Sequence, residues 1–174
     1  MATGVVFYAF FGVGWLLAGL GHFGGPVVGV AGVLGLLLAL TLVRAARRVP
    51  VRAEEAGEGG LTAAQRRRFG QVNAVQWLLI AVVAVGCGVG GTPVLIMPLV
   101  AVVVGVHFFP LARVFADPRL IAPGAVLTAV GLCGLAARAA GASPGTVYTL
   151  VGLGCALTLW STAAWTVTGA RRSA

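Results

Sequence analysis

Six long apolar runs, at about 4–22, 27–45, 72–90, 94–113, 121–139 and 145–168, alternate with short polar or glycine-rich breaks. A hydrocarbon core about 30 Å thick takes roughly 20 helical residues to cross. Each run meets that length. In lipid only a helix or a closed barrel satisfies every backbone N–H and C=O, and these runs lack the period-two alternation of barrel strands. The pattern predicts an all-α, polytopic integral membrane bundle of six transmembrane helices. So little chain is left over that residues 1–174 are expected to form a single integral membrane domain. The first run has no charged flank or small-residue cleavage site and reads as a retained span.

The breaks are of two kinds, and they alternate. "GHFGGP" (21–26), "GVGGTP" (88–93) and "AGASPG" (140–145) are short and turn-like. Glycine permits tight backbone there, and proline suits the first turn of the helix that follows. "RAARRVPVRAEEAGEGGLTAAQRRRFGQ" (44–71) and "RVFADPR" (113–119) carry charge, as does the tail with Arg171 and Arg172. Six helices joined in this way make three hairpins.

Arginine-rich short loops stay on the cytoplasmic side of a membrane. The long connection at 44–71, with its loop at about 46–71, holds Arg44, Arg47, Arg48, Arg52, Arg66, Arg67 and Arg68, and the next charged break holds Arg113 and Arg119. With six spans, both of these loops and the tail fall on one side. That side is expected to be cytoplasmic, with both termini. Arg138, just before the third short turn, is the one exception. Inside the long connection, "EEAGEGG" reads as an acidic break. Thr62 and Gln65 have capping-box spacing, which opens a short helix that carries three arginines to the interface.

Composition sharpens the picture. The chain is 59% hydrophobic and 9% charged, with mean hydropathy +1.02, against about 25% charged residues in soluble domains. The net charge of +8 comes from 12 basic residues, all of them arginine. They flank apolar spans, where they set topology and meet anionic head groups. There is no basic domain on which a nucleic acid could lie, so the expected partner is the lipid bilayer and no nucleic acid.

Cys87, Cys133 and Cys155 are far apart in apolar surroundings and read as small hydrophobes, with a Cys87–Cys133 disulfide as the one pairing considered. Gly25 and Gly29, and Gly86 and Gly90, have G-x-x-x-G spacing. Gly12, Gly14, Gly19, Gly32, Gly35, Gly131, Gly134, Gly152 and Gly154 add further positions for close helix approach. Trp77, Trp160 and Trp165, with Tyr8 and Tyr148, fall toward span ends, where aromatic belts form. Trp15 lies deeper and reads as packing.

Polar groups inside the spans are costly in lipid and so point to function. The third span opens with Asn73 and Gln76, three residues apart and on one helical face. The fourth closes with His107, and Arg113 follows at the interface. A tight turn joins these spans, so they are expected to be antiparallel neighbours, with Asn73 and Gln76 meeting His107 at similar depth. Pro110 removes the hydrogen bond to the Val106 carbonyl and leaves an acceptor beside His107. Two readings follow. In one, His107, Asn73, Gln76 and Arg113 form a substrate-binding vestibule for a small polar solute or a proton relay. In the other, His107 hydrogen-bonds to the third span and Pro110 ends the helix, with Asp117 and Pro118 forming the turn into the fifth span.

No catalytic residue is indicated. H-E-x-x-H, G-x-S-x-G and Walker A motifs are absent. No carboxylate lies in a span centre. The two histidines, His22 and His107, fall on opposite sides and make no metal site. No cofactor is implied.

"RRRFGQVNAVQWLLI" followed by "GVHFFPLARVFADP" resembles segments of small, uncharacterised, multi-span bacterial membrane proteins, over roughly the middle third of the chain. The resemblance implies a helical protein of a bacterial inner membrane. It brings no activity and no site residue. The functional expectation is a small transporter- or channel-like protein for a small solute or ion, working as a homo-oligomer. The alternative is a non-catalytic membrane scaffold or accessory subunit. An intramembrane enzyme built on His107 ranks last, because no acid or nucleophile accompanies it.

Overall fold

A computed structural model describes residues 2–48 and 62–172. These form six helices: α1 Ala2–Leu20, α2 Gly25–Arg47, α3 Ala63–Val89, α4 Ile96–Val114, α5 Ile121–Ala139 and α6 Pro144–Arg172. Short 3-10 turns at Gly21–Phe23, Pro93–Leu95 and Pro118–Leu120 lead into α2, α4 and α5. No strand occurs among the described residues. Six helical segments are long and apolar enough to cross a membrane. The fold is all-α and polytopic.

Local sequence sets the helix boundaries. Pro26, Pro93, Pro118 and Pro144 stand in the first turn of a helix or of the 3-10 turn before it. There the missing N–H would have had no partner in any case. Three helices end in a left-handed residue: Gly91 after α3, Ala116 after α4 and Gly141 after α5. In each, the following N–H reaches back to close the last turn: Thr92 to Cys87 O, Asp117 to Ala112 O and Ala142 to Ala137 O, all at 2.9 Å. This is the Schellman arrangement. Glycine adopts it freely, whereas Ala116, at φ 51°, does so against its own Cβ.

The third helix departs from the sequence expectation. It starts at Ala63, well before the apolar run near 72. The capping box forms: Thr62 Oγ1 accepts from the Gln65 N–H at 3.1 Å, and Gln65 Oε1 accepts from the Thr62 N–H at 2.9 Å. No separate short helix follows, because nothing between Arg66 and Val72 stops propagation. Gly70 alone disfavours the helix, by about 1 kcal/mol relative to alanine. Arg66, Arg67 and Arg68 are therefore residues of α3 and not of a loop running to 71. Arg52 and the "EEAGEGG" break lie outside the described residues.

The chain divides into two compact units, Met1–Gly60 with Cys155–Ala174, and Leu61–Gly154. In the first, α1 and α2 form an antiparallel hairpin in which Leu17 lies against Gly32 and Leu16 against Gly35. The second half of α6 belongs to this unit. Val5 clusters with Ala163 and Val167, and Trp160 lies against Gly12 and Gly35. The Trp160 Nε1–H donates to the Ala9 carbonyl at 3.1 Å. Trp160 is thus a packing residue of this unit.

In the second unit, α4 and α5 meet along small residues. Pro98, Ala101, Gly105, Phe108 and Ala112 on α4 are buried, as are Gly124, Leu127, Gly131 and Gly134 on α5. Both series step by three and four residues, the spacing of a coiled-coil seam. A Cβ on Gly131 would stand 2.6 Å from the Pro98 carbonyl oxygen, and one on Gly124 would stand 2.9 Å from the Gly105 carbonyl oxygen. The first part of α6 packs antiparallel on α5, with Val151 beside Gly134 and Val130 beside Gly154. Lipid tails are as apolar as leucine, so burial alone does not drive such contacts. Close van der Waals approach does, and glycine allows it.

The G-x-x-x-G pairs play no such part. Gly25, Gly29, Gly86 and Gly14 face open space, and Gly90 meets only its own turn. All three cysteines are free thiols.

Candidate functional site

The site lies between α3 and α4, inside the Leu61–Gly154 unit. A tight turn makes these helices antiparallel, so the start of α3 meets the end of α4. Gln65 does double duty there. Besides completing the capping box, its Nε2 donates to the Val114 carbonyl at 3.2 Å. Beside it the rings of Phe69 and Phe115 lie 5.6 Å apart. Arg66, Arg67, Arg68 and Arg113 all gather at this end.

Deeper along the pair is a cleft of about 370 Å³. Helix α3 lines it with Gln71, Val72, Val75, Gln76 and Leu79, and α4 with Val102, Val103, Val106, His107 and Pro110. Both sets recur every three or four residues, so each is one face of its helix. Leu79, Val102 and Val103 make the deep end wholly apolar. The polar groups, Gln71, Gln76 and His107, are on the side toward the arginines. Pro110 adds to them: it has no N–H to give the Val106 carbonyl, and that oxygen is left without its helical donor.

Of the four residues singled out from sequence, two meet in the cleft. His107 and Gln76 both line it. His107 is half-buried and hydrogen-bonded to the backbone of Val72. Gln76 makes no hydrogen bond to any described residue. Asn73 is half-buried and Arg113 exposed, and neither lines the cleft. Asn73 shares a broad face with Gln76, but the cleft follows the 72–76–79 row, and position 73 falls to its side. Arg113 stands three residues beyond Pro110, on the extension of the cleft face toward the helix end.

Sequence reasoning missed the walls. Val72, Val75, Val102 and Val103 are apolar residues in an apolar chain, and only their facing across the hairpin distinguishes them. The sequence signals pointing here were His107 and Gln76, polar groups within apolar spans joined by a tight turn, with Pro110 three residues beyond His107.

The side chains that line the cleft are two amides, one imidazole and otherwise apolar groups. The one carboxylate among the described residues, Asp117, accepts the Arg119 backbone N–H at 3.0 Å in the turn after α4. Among the described residues no three His, Cys, Asp or Glu side chains come together to hold a metal ion. No described side chain that is buried is polar or charged. What remains is a slot whose accessible walls are almost wholly apolar, with Gln71, Gln76 and His107 lining the part toward the arginines but turning little polar surface into it.

Compared with known proteins, the chain matches no family model, no curated protein and no solved structure.

Proposed function

We propose that this protein works by binding and not by catalysis, as a small transporter-like membrane protein whose α3–α4 cleft receives a small solute. The observation that supports this reading is the cleft itself, with Gln76 and His107 near one end and valine and leucine at the other. An ion is a poor fit, because apolar walls cannot replace its hydration shell. An amphipathic organic solute is the better occupant. In this reading the arginine-bearing ends face the cytoplasm of a bacterium, both termini lie there, and the protein works as a homo-oligomer in the inner membrane.

Purified protein in proteoliposomes tests the proposal. Uptake of at least one amphipathic solute is expected above the level of empty vesicles. Val103→Phe, which fills the cleft, is expected to abolish it. Flux equal to that of empty vesicles across a broad panel of ions and amphiphiles would sink the proposal.

A second reading, a non-catalytic scaffold or accessory subunit, rests on a different observation. Helix α3 presents Trp77, Leu78, Val82, Val85 and Val89 outward, and its best membrane-length window buries none of its residues. Such a face suits a partner helix as well as lipid. Purification with a stoichiometric partner that a Leu78→Gly, Val82→Gly double variant releases would favour it.

A further inference from the structure

We propose that the occupant of the α3–α4 cleft is an anionic phospholipid, held by an acyl chain along the cleft and by its phosphate at Arg67, Arg68 and Arg113. The inference rests on the cleft-binding reading and names the class of molecule bound.

Helical spacing carries the argument. On α3 the cleft face runs through Gln71, Val72, Val75, Gln76 and Leu79. Continued one turn toward the helix start, it reaches Arg68, four residues before Val72, and Arg67, four before Gln71. On α4 the face runs through Val103, Val106 and Pro110. Continued one turn toward the helix end, it reaches Arg113. The Gln65 to Val114 hydrogen bond sets these two helix ends side by side. Arginines from both walls therefore stand at the helix ends just beyond the cleft.

Those arginines have no anion of the chain's own among the described residues. All three are exposed. The single described carboxylate, Asp117, is engaged with the turn after α4 through the Arg119 N–H. Three guanidiniums at the mouth of an apolar slot complement one molecule type well: an anionic head on an apolar chain. Guanidinium is suited to phosphate because its planar N–H fork matches two phosphate oxygens. From Arg68 to Leu79 the helix rises about 16 Å, at 1.5 Å per residue. That length takes a head group at the arginines, ester groups near Gln71 and Gln76, and the first methylenes of an acyl chain, the rest of which runs on past Leu79. The amide of Gln76, with no partner among the described residues, is left to meet an ester carbonyl. Arg66 lies off this face and is not part of the site.

Native mass spectrometry of the full chain, stripped of lipid in detergent, tests the proposal. The probes are dioleoyl phosphatidylglycerol, dioleoyl phosphatidylcholine and inorganic phosphate. The expected result is one phosphatidylglycerol bound at least about fivefold more tightly than phosphatidylcholine, the scale of a few arginines near a charged head. The Arg67→Gln, Arg68→Gln, Arg113→Gln variant should bind the two lipids equally, with unchanged helicity. Arg66→Gln should behave as wild type. Phosphate should not displace the lipid.

Equal binding of the two lipids by wild type, still abolished by Val103→Phe, would overturn the anionic inference and leave the cleft reading standing. Binding indifferent to Val103→Phe would overturn both. Displacement by phosphate would show an anion site that does not use the chain, and would overturn the lipid inference. A dimer that loses lipid from the cleft as it forms would assign the face to a second copy, and would overturn the proposal.

Discussion

The indole N–H of Trp160 donates to the carbonyl oxygen of Ala9, 151 residues away in sequence, at 3.1 Å. The indole reaches that oxygen because Gly12 leaves room for it. A Cβ on Gly12 would meet the Trp160 ring, with Cδ1 at 2.8 Å. The two residues act as one device, a large ring laid on a bare patch of helix. We expect Gly12→Val to destabilise the protein by about 1–3 kcal/mol through overpacking. Trp160→Phe should cost about 1 kcal/mol, because the hydrogen bond is lost and most of the ring is kept. Thermal melts in detergent check both. A Gly12→Val protein as stable as wild type would show that the ring does not rest there.

The α4–α5 seam gives a second expectation. Gly105→Ala places a methyl against the Thr128 backbone N, and against the Gly124 carbonyl oxygen at 2.8 Å. Gly131→Ala meets the Pro98 carbonyl oxygen at 2.6 Å and the Val102 N at 2.8 Å. Backbone atoms cannot rotate away as a side chain can, so each variant must push the helices apart. A loss of about 1–3 kcal/mol is expected for each. Gly86→Ala, with nothing within 4 Å, should be neutral or mildly stabilising. Equal melting temperatures for the three variants would refute the seam.

These two cases mark what the chain reveals before it is folded. The six spans, their hairpin turns and the Thr62 cap were legible, because each depends on residues near in sequence. Length and hydropathy give a span, and Gly-Pro pairs give a turn. Which glycine meets which helix was not legible. With 27 glycines in the chain, G-x-x-x-G spacing picked Gly25, Gly29, Gly86 and Gly90, whereas Gly105 and Gly124 do the close packing. Spacing reports a face of one helix and is silent on what covers it. The candidate site divides in the same way. His107 and Gln76 stood out as polar groups in lipid, and they do share a cleft. Asn73 stood out for the same reason and falls beside it. The valines that shape the cleft carried no signal.

Gln65 ties two features together, so its loss should exceed that of its capping partner. Thr62→Ala removes one side of the box, an effect of about 1 kcal/mol. Gln65→Ala removes the other side and also the bond to the Val114 carbonyl. We expect faster hydrogen exchange over the first turn of α3 in both variants. Faster exchange at the end of α4, around Val114 to Asp117, is expected only in Gln65→Ala. If the two variants give the same exchange pattern, the link between α3 and α4 at that end is not through Gln65.

Ala116 is the one non-glycine residue with positive φ among those described. It occupies the position that Gly91 and Gly141 take after α3 and α5. Its N–H bonds to the Arg113 carbonyl at 3.3 Å, and the next N–H, of Asp117, bonds to the Ala112 carbonyl at 2.9 Å. The turn thus keeps its hydrogen bonds while an L side chain stands in a left-handed conformation, at a cost of about 1–2 kcal/mol. Glycine avoids that cost but loses more freedom on folding, by roughly 0.5–1 kcal/mol. Ala116→Gly should therefore stabilise the protein by about 1 kcal/mol or less. Ala116→Val should destabilise it, since a β-branched residue fits this region worst. The converse holds at the other two turns: Gly91→Ala and Gly141→Ala place a Cβ at φ 67° and 89° and should both lower stability. Melts of the four variants decide the matter by sign alone. A rise for Ala116→Gly beside falls for the other three fits this account, and a fall for Ala116→Gly contradicts it.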